Sequence, residues 1–392
     1  MLSIKTKLII LLLIISLIPA LIISLLSYIS AKNALKQAAI AGVHAFAEFE
    51  EGEIFLYLDK LKTRAVDFSS DGFIRKNLDE INKTKSKNTE HKLSTYLINN
   101  KKVLDDNILQ IDIVDLNGTI VASTDSNEIG KSVKHKKIYN EGQKDVYISD
   151  IHKEEDGTKE ADFAIAIPLT LIDNSGKKIG VLINSYSINE ISKLMSGQTV
   201  LSLGALTQTS GVGKTGETYL VNSNKLMLSN SLFLPDSILK QKVNTYPVKM
   251  GLKEGKEGKE VKGIWDDYRG VPVVGASMII KFSGHTWILI SEQDVSETFA
   301  PIYKLKKTIY VLGIIILILV IFVAAYIAKS FTKPIFKLIE STEHIGRGDL
   351  NHKVEIYSND ELGQLSKAFN DMCKNLKTVT ASRDELQNTL PL

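Results

Sequence analysis

Cysteine is almost missing from this chain: among 392 residues only Cys373 carries a thiol, and it lies beyond the second of two long apolar runs. The segment between those runs can therefore hold neither a disulfide nor a thiolate-bound metal, and must be stable through its core alone. Seven histidines are present, but none stands in an H-x-x-H or H-E-x-x-H arrangement, so a transition-metal site has no local support. No G-x-S-x-G elbow occurs, and the missing thiols remove the other common nucleophile from the segment able to form pockets. No catalytic residue, metal or cofactor is expected. A formal net charge of +3, with 24% charged and 44% hydrophobic residues, excludes the basic excess of a nucleic-acid binder.

What the chain does have is two uncharged apolar runs, residues 8–29 and 308–328. At ~1.5 Å per residue each is long enough to cross the ~30 Å hydrocarbon layer. Lys5 and Lys7 precede the first run as they would in a secretory signal, but the run is too long for one and reads as an uncleaved anchor. Two spans put both termini on one side. Lysine counts do not orient them, because Lys329, Lys333 and Lys337 after the second span balance Lys304, Lys306 and Lys307 before it.

Between the spans, apolar residues recur at helical spacing from Leu35 through Ala38, Phe46, Phe49, Phe55, Leu58, Leu61 and Ala65 to Phe68, predicting one long stalk helix. A lysine-rich stretch at 82–92 interrupts the pattern before a second helix to about Val103. Strands follow. Gln110–Asp115 and Thr119–Ser123 form a hairpin around Asn117-Gly118, and 162–171 pairs with 178–186. The order then repeats: 217–221 with 226–229, and 271–280 with 286–291. Ile111 matches Tyr219 and Phe163 matches Val271 at a constant separation of 108, which suggests duplicated α+β modules.

Gly213-Lys-Thr-Gly-Glu-Thr-Tyr-Leu-Val221, Trp265-Asp-Asp-Tyr-Arg-Gly-Val-Pro-Val-Val-Gly-Ala276 and Trp287-Ile-Leu-Ile-Ser-Glu292 resemble the membrane-proximal half of a double Cache sensor domain. Asp145-Val-Tyr-Ile-Ser149 carries a weaker likeness to the distal half. The resemblance implies an extracytoplasmic ligand-sensing segment over residues 30–307, with a distal module at about 70–195 and a proximal one at about 205–295. It implies a pocket over a sheet, for which Lys136, Lys137, Tyr139, Tyr147, Asp162 and Tyr186 are the candidate lining residues. Many amino-acid-binding members place arginine and tryptophan before the pocket. His135-Lys-Lys-Ile-Tyr139 has neither, and lysine lacks arginine's bidentate fork for a carboxylate. Gly211-Val-Gly-Lys-Thr215 lacks the earlier glycine of a phosphate loop, since Gln208 stands there, and reads as a turn. Asp150, Glu154, Glu155 and Asp156 read as solvated loop charge.

After the second span, Pro334 opens a helix with Ile335, Leu338, Thr342 and Ile345 at heptad spacing. Gly346-Arg-Gly-Asp349 ends it. Ser358 with Glu361 has capping-box spacing, and Leu362, Leu365, Phe369, Met372, Leu376 and Val379 form a second seam. The proline, the two seams and Asp360-Glu-Leu-Gly363 resemble a HAMP linker domain over 329–382, with 383–392 starting a signalling coiled coil. That resemblance implies a parallel helical bundle made by two chains. It places residues 1–7 and the C-terminal segment in the cytoplasm and makes Pro334, Glu361, Gly363, Phe369 and Met372 the relay residues.

The expected fold is thus α+β: two stacked PAS-like Cache modules on a stalk helix, two transmembrane helices and a cytoplasmic HAMP bundle. The expected protein is a homodimeric inner-membrane receptor for a small solute, the sensor portion of a two-component histidine kinase. A chemoreceptor without its signalling hairpin and a receptor acting with a kinase or response-regulator partner in trans are the alternatives. No phosphoacceptor or ATP-lid motif occurs in the chain as written, so no enzyme activity of its own is expected.

Overall fold

The computed structural model describes residues 3–153, 161–173, 175–196, 213–253, 258–355 and 360–388. The chain divides into two compact units, Asn33–Ala300 on the one hand and Met1–Lys32 with Pro301–Leu392 on the other.

Helix α1 (Ile4–Ser70) contributes to both units. Its buried residues are Val43, Ala47, Glu50, Ile54, Leu58, Leu61, Ala65 and Phe68, spaced three or four apart. Phe49 and Phe55, expected on that face, stay exposed, because the buried stripe runs through Ile54 and the small Ala47 instead. Glu50 lies within the stripe, and burial pushes its carboxyl up to about 7. Helix α2 (Gly72–Thr84) starts at Asp71, whose carboxylate accepts from the Phe73 and Ile74 amides. Ser86 caps α3 (Lys87–Asn100) in the same way.

The first sheet is built from β1 (Ile108–Asp115), β2 (Ile120–Ser123), β3 (Tyr147–Ile148), β4 (Asp162–Thr170) and β5 (Lys178–Ser187), with α4 (Lys137–Gly142) lying between β2 and β3 in sequence. Its strand order is β2-β1-β5-β4-β3, antiparallel throughout. After α5 (Asn189–Met195) come β6 (Glu217–Val221), α6 (Tyr246–Gly251), β7 (Lys262–Asp266), β8 (Pro272–Phe282) and β9 (His285–Asp294), then the short α7 (Val295–Thr298). These four strands make a second antiparallel sheet, β6-β9-β8-β7. The turn between β8 and β9 has positive φ at both Ser283 and Gly284, the geometry that matches strand twist in a two-residue hairpin. Residues 226–229 do not form the expected strand. They touch β6 through a Val221–Met227 bridge and a bond from Leu228 N to Leu220 O.

The two sheets repeat the same order, but not at the expected separation. Gln110, Asp112 and Val114 pair with Ser185, Ile183 and Val181, whereas Glu217, Tyr219 and Val221 pair with Glu292, Ile290 and Ile288. Each of these six correspondences is a shift of 107, not 108. The turns agree: Asp115 accepts from the amides of Asn117 and Thr119, and Asn222 from those of Asn224 and Leu226. One residue matters because strand side chains alternate faces, so a shift of 108 matches residues from opposite sides of the two sheets.

In the other unit, α8 (Ala300–Gly346) continues through Pro334, which therefore does not open a new helix as the sequence suggested. Residue 330 loses its helical partner there, since proline has no amide hydrogen. Helix α9 (Glu361–Asn388) is capped by Asp360, which accepts from the Leu362 and Gly363 amides; Ser358, the expected cap, lies outside the described residues. Val354 in the connector exchanges two hydrogen bonds with the side chain of Asn370. The face of α9 that is buried in one chain is Gly363, Ser366 and Cys373, while Leu365, Met372, Leu376 and Val379 are exposed.

Candidate functional site

Alternation along three strands creates a cavity on one face of the first sheet. Gln110 and Asp112 of β1, Asp162 and Ala164 of β4, and Ile183 and Ser185 of β5 point to the same side. Thr124, Asp125, Ser126 and Glu128 from the segment after β2 form one wall, and Val133, Lys136 and Ile138 around the start of α4 form another. The cavity holds about 560 Å³, within the range of small-ligand sites. Its floor is apolar at Ile120, Ala164 and Ile183, and its rim carries four carboxylates against Lys102, Lys136 and His152.

Those carboxylates are held in place. Asp112 accepts from the Gln110 amide at 2.7 Å and from the Ser123 hydroxyl at 2.6 Å. Asp125 accepts from the Asn127 amide, Glu128 pairs with Lys131 at 2.9 Å, and Asp162 lies 3.4 Å from the His152 imidazole. Fixing these groups before a ligand arrives lowers the ordering cost of binding.

Of the six residues expected from the sequence, Lys136 and Asp162 line the cavity. Tyr139 is buried beneath it, its hydroxyl donating to Asp115 O at 3.0 Å within a core of Val114, Val133, Ala166 and Val181. Tyr186 belongs to the opposite face of β5, where its ring stacks on Phe163 at 5.7 Å and burial lifts its hydroxyl to about 12. Lys137 sits over the ring of Tyr147, and Tyr147 turns away toward His285, 2.8 Å from its Nε2. Gln110, Asp112, Thr124 and Ser185 were not expected. The alternation of polar Gln110 and Asp112 with apolar Ile111 and Ile113 was the signal that could have found two of them.

Two other readings change with the structure. Asp150 is not solvated loop charge, for it accepts a 2.7 Å bond from the indole of Trp287; Glu154, Glu155 and Asp156 lie outside the described residues. In the loop that mimics a phosphate binder, the Thr215 hydroxyl and the amides of Lys214 and Thr215 already hold the carboxylate of Glu297, and these donors, the hydroxyl first, depress its pKa to about 2; Gly211 and Val212 lie outside the described residues.

A Cache domain profile matches residues 31–302 and a HAMP domain profile matches residues 326–378. A sensor protein kinase, WalK of Staphylococcus aureus, is 24% identical over 184 residues, covering 45% of this chain and 29% of that relative's length. Among solved structures, the ligand-binding domain of the Campylobacter jejuni chemoreceptor Tlp3, in complex with 4-methylisoleucine, aligns with a TM-score of 0.49 and 14% identity, covering 69% of this chain and 96% of that one. The sensor domain of the V. cholerae histidine kinase DctB aligns with a TM-score of 0.47 and 12% identity, covering 65% and 97%.

Both α1 and α8 contain a stretch long and apolar enough to cross a membrane, one at each end of the sensor region. With a HAMP domain after the second, the arrangement is that of a transmembrane sensor receptor acting in signal transduction. The chain belongs to the Cache domain family.

Proposed function

We propose that the chain is the sensor portion of a two-component histidine kinase, with the Cache segment outside the inner membrane and both termini in the cytoplasm. The two sheets are the cores of a distal and a proximal module stacked along α1. The first sheet's cavity takes a small solute, and HAMP relays its presence. The single observation that supports this most is that cavity: a fixed polar rim over an apolar floor, drawn from β1, β4, β5 and the start of α4. Lys136, Asp162, Gln110, Asp112, Thr124 and Ser185 are the binding residues of this reading. Carboxylates outnumber lysines on the rim and no arginine is among the lining residues, which favours a solute bearing an ammonium group over an organic acid. The exposed Leu365, Met372, Leu376 and Val379 on α9 support a homodimer, because a HAMP seam is buried only by a second copy. A chemoreceptor shares every one of these features and is the second reading.

The test is thermal unfolding of the full chain in detergent with putrescine, L-lysine and succinate. A saturable rise in midpoint with an amine, lost in Asp162→Asn, is expected. A rise with succinate that depends on Lys136 would reverse the ligand class while keeping the site. No saturable shift from any of the three, with the Ile183→Trp variant melting like the parent, would remove the cavity reading.

A further inference from the structure

The segment Tyr147–His152 touches two things at once. On one side it forms part of the cavity wall. Tyr147 and Ile148 pair with Ala166 and Ile165 of β4, Ser149 exchanges bonds of 2.8 Å with Ala164 through its amide and its hydroxyl, and His152 bridges to Asp162. Ala164, Asp162 and His152 all line the cavity, as does Lys136, next to the Lys137 ammonium that lies over the Tyr147 ring.

On its other side the same segment grips the tip of the β8–β9 hairpin in the second sheet. The Ile148 amide donates to the Ser283 hydroxyl at 3.0 Å, and the Tyr147 hydroxyl lies 2.8 Å from His285 Nε2. Asp150 is bracketed by two residues on one face of β9. It accepts from the Trp287 indole at 2.7 Å with one oxygen and lies 4.0 Å from His285 Nδ1 with the other. Trp287 is fully buried, its ring edge-on to Phe282 at 4.5 Å, so it cannot follow a moving partner by swinging into solvent. Neither Tyr147 nor Asp150 lines the cavity.

We infer that Tyr147 and Asp150 are positioning residues that clasp the cavity wall to the β8–β9 hairpin, so that occupancy of the first sheet's cavity is read by the second sheet through His285 and Trp287. The 2.7 Å bond between the Trp287 indole and Asp150 stays within normal geometry only to about 3.2 Å, so a shift of the wall by more than about half an ångström must either drag the hairpin or break the bond. The inference rests on the cavity being the ligand site.

A covalent occupant tests it without knowledge of the natural ligand. Ser185→Cys is introduced into a Cys373→Ser background of the full chain in nanodiscs and treated with 2-aminoethyl methanethiosulfonate, which leaves an ammonium-bearing group on the cavity side of β5. Both tryptophans, Trp265 and Trp287, belong to the second sheet and Trp287 also touches Asp150, so emission reports on that sheet together with the clasp, and the amide exchange of residues 285–294 separates the two. Labelling is expected to change the emission and the amide exchange of residues 285–294. In Asp150→Asn and in Tyr147→Phe the labelling-induced change should fall at least about fivefold, the low end of a typical coupling, with labelling yield and unlabelled melting midpoint preserved. An undiminished change in both variants, or no change in a fully labelled parent, overturns the clasp. A cysteine at 185 that does not react overturns the cavity reading first and the clasp with it.

Discussion

Glu292 sits opposite Glu217 in the β6–β9 register, and both carboxyl groups are buried, with 1% and 6% of the residue exposed. Their environments differ. Glu217 receives the Ser231 hydroxyl at 2.7 Å, the Tyr268 hydroxyl at 2.8 Å and the Leu232 amide at 3.0 Å, while Glu292 receives, among the described residues, the Tyr219 hydroxyl at 3.0 Å and the Trp265 indole at 3.2 Å. The nearby Arg269 is committed to Asp267 and Asp294. Burial first, then repulsion from Glu217 and Asp267, pushes Glu292 up to about 8, so it is a neutral acid at pH 7. The folded protein then holds a proton that the unfolded chain releases near 4.5, and stability falls as pH rises from there to about 8. At about 1.4 kcal/mol per pH unit, Glu292 accounts for a loss of roughly 2 kcal/mol between pH 6 and 7.5. Glu292→Gln keeps the shape without the titration. It should cost about 1 kcal/mol at pH 6, where its NH₂ cannot accept from one of the two donors, and become more stable than the parent from about pH 7 upward. Urea unfolding followed by tryptophan emission measures this directly, because both indoles are in this sheet. A parent-minus-variant difference that does not change between pH 6 and 8.5 would refute the assignment of the proton.

Two further substitutions test the packing. Arg269 places its guanidinium 3.7 Å over the ring of Phe233 and spans Asp267 and Asp294 at 2.6 Å each; Arg269→Lys keeps the charge but cannot reach both, and should lower the stability of the second sheet by about 2 kcal/mol in the same urea assay, an unchanged midpoint arguing against the fork. At Gly180 a Cβ would run into the carbonyl of Val114 and within 2.8 Å of Leu78 Cδ2, both fixed by strand pairing and by α2, so Gly180→Ala should cost about 2 kcal/mol or more by calorimetry; a midpoint within a degree of the parent would show that β1 can yield.

Elements with a strong local period were legible in the sequence: α1 from its apolar spacing, the β1–β2 turn from Asn117-Gly118, and the β4–β5 and β8–β9 hairpins from their runs. Faces were harder. Tyr186 and Ser185 are neighbours on β5, and only pairing partners decide which of them looks into the cavity; aromatic character suggested Tyr186, and register gives Ser185. Tyr147 and Asp150 were misjudged for a related reason. Their partners, His285 and Trp287, are more than 130 residues away, and no local pattern records a contact of that range.

Register also bears on which sheet has room for a ligand. In the first sheet Gln110, Asp112 and Ser185 border the cavity, and their counterparts in the second are Glu217, Tyr219 and Glu292, all buried. Ala164 pairs with Ser185 as Gly275 pairs with Glu292, so Gly275 stands where the cavity floor would be. A Cβ there would come within 2.8 Å of the Trp265 ring. The indole lies on the bare backbone of Gly275, donates to Glu292, and packs with Tyr219, Val248 and Ile288 into a continuous core. Where the first sheet keeps space, the second has filled the equivalent positions with its own side chains, with Tyr219 donating to Glu292 and Tyr268 to Glu217. Such a sheet is suited to being gripped at its hairpin and moved as a body, which is the role the clasp assigns to it.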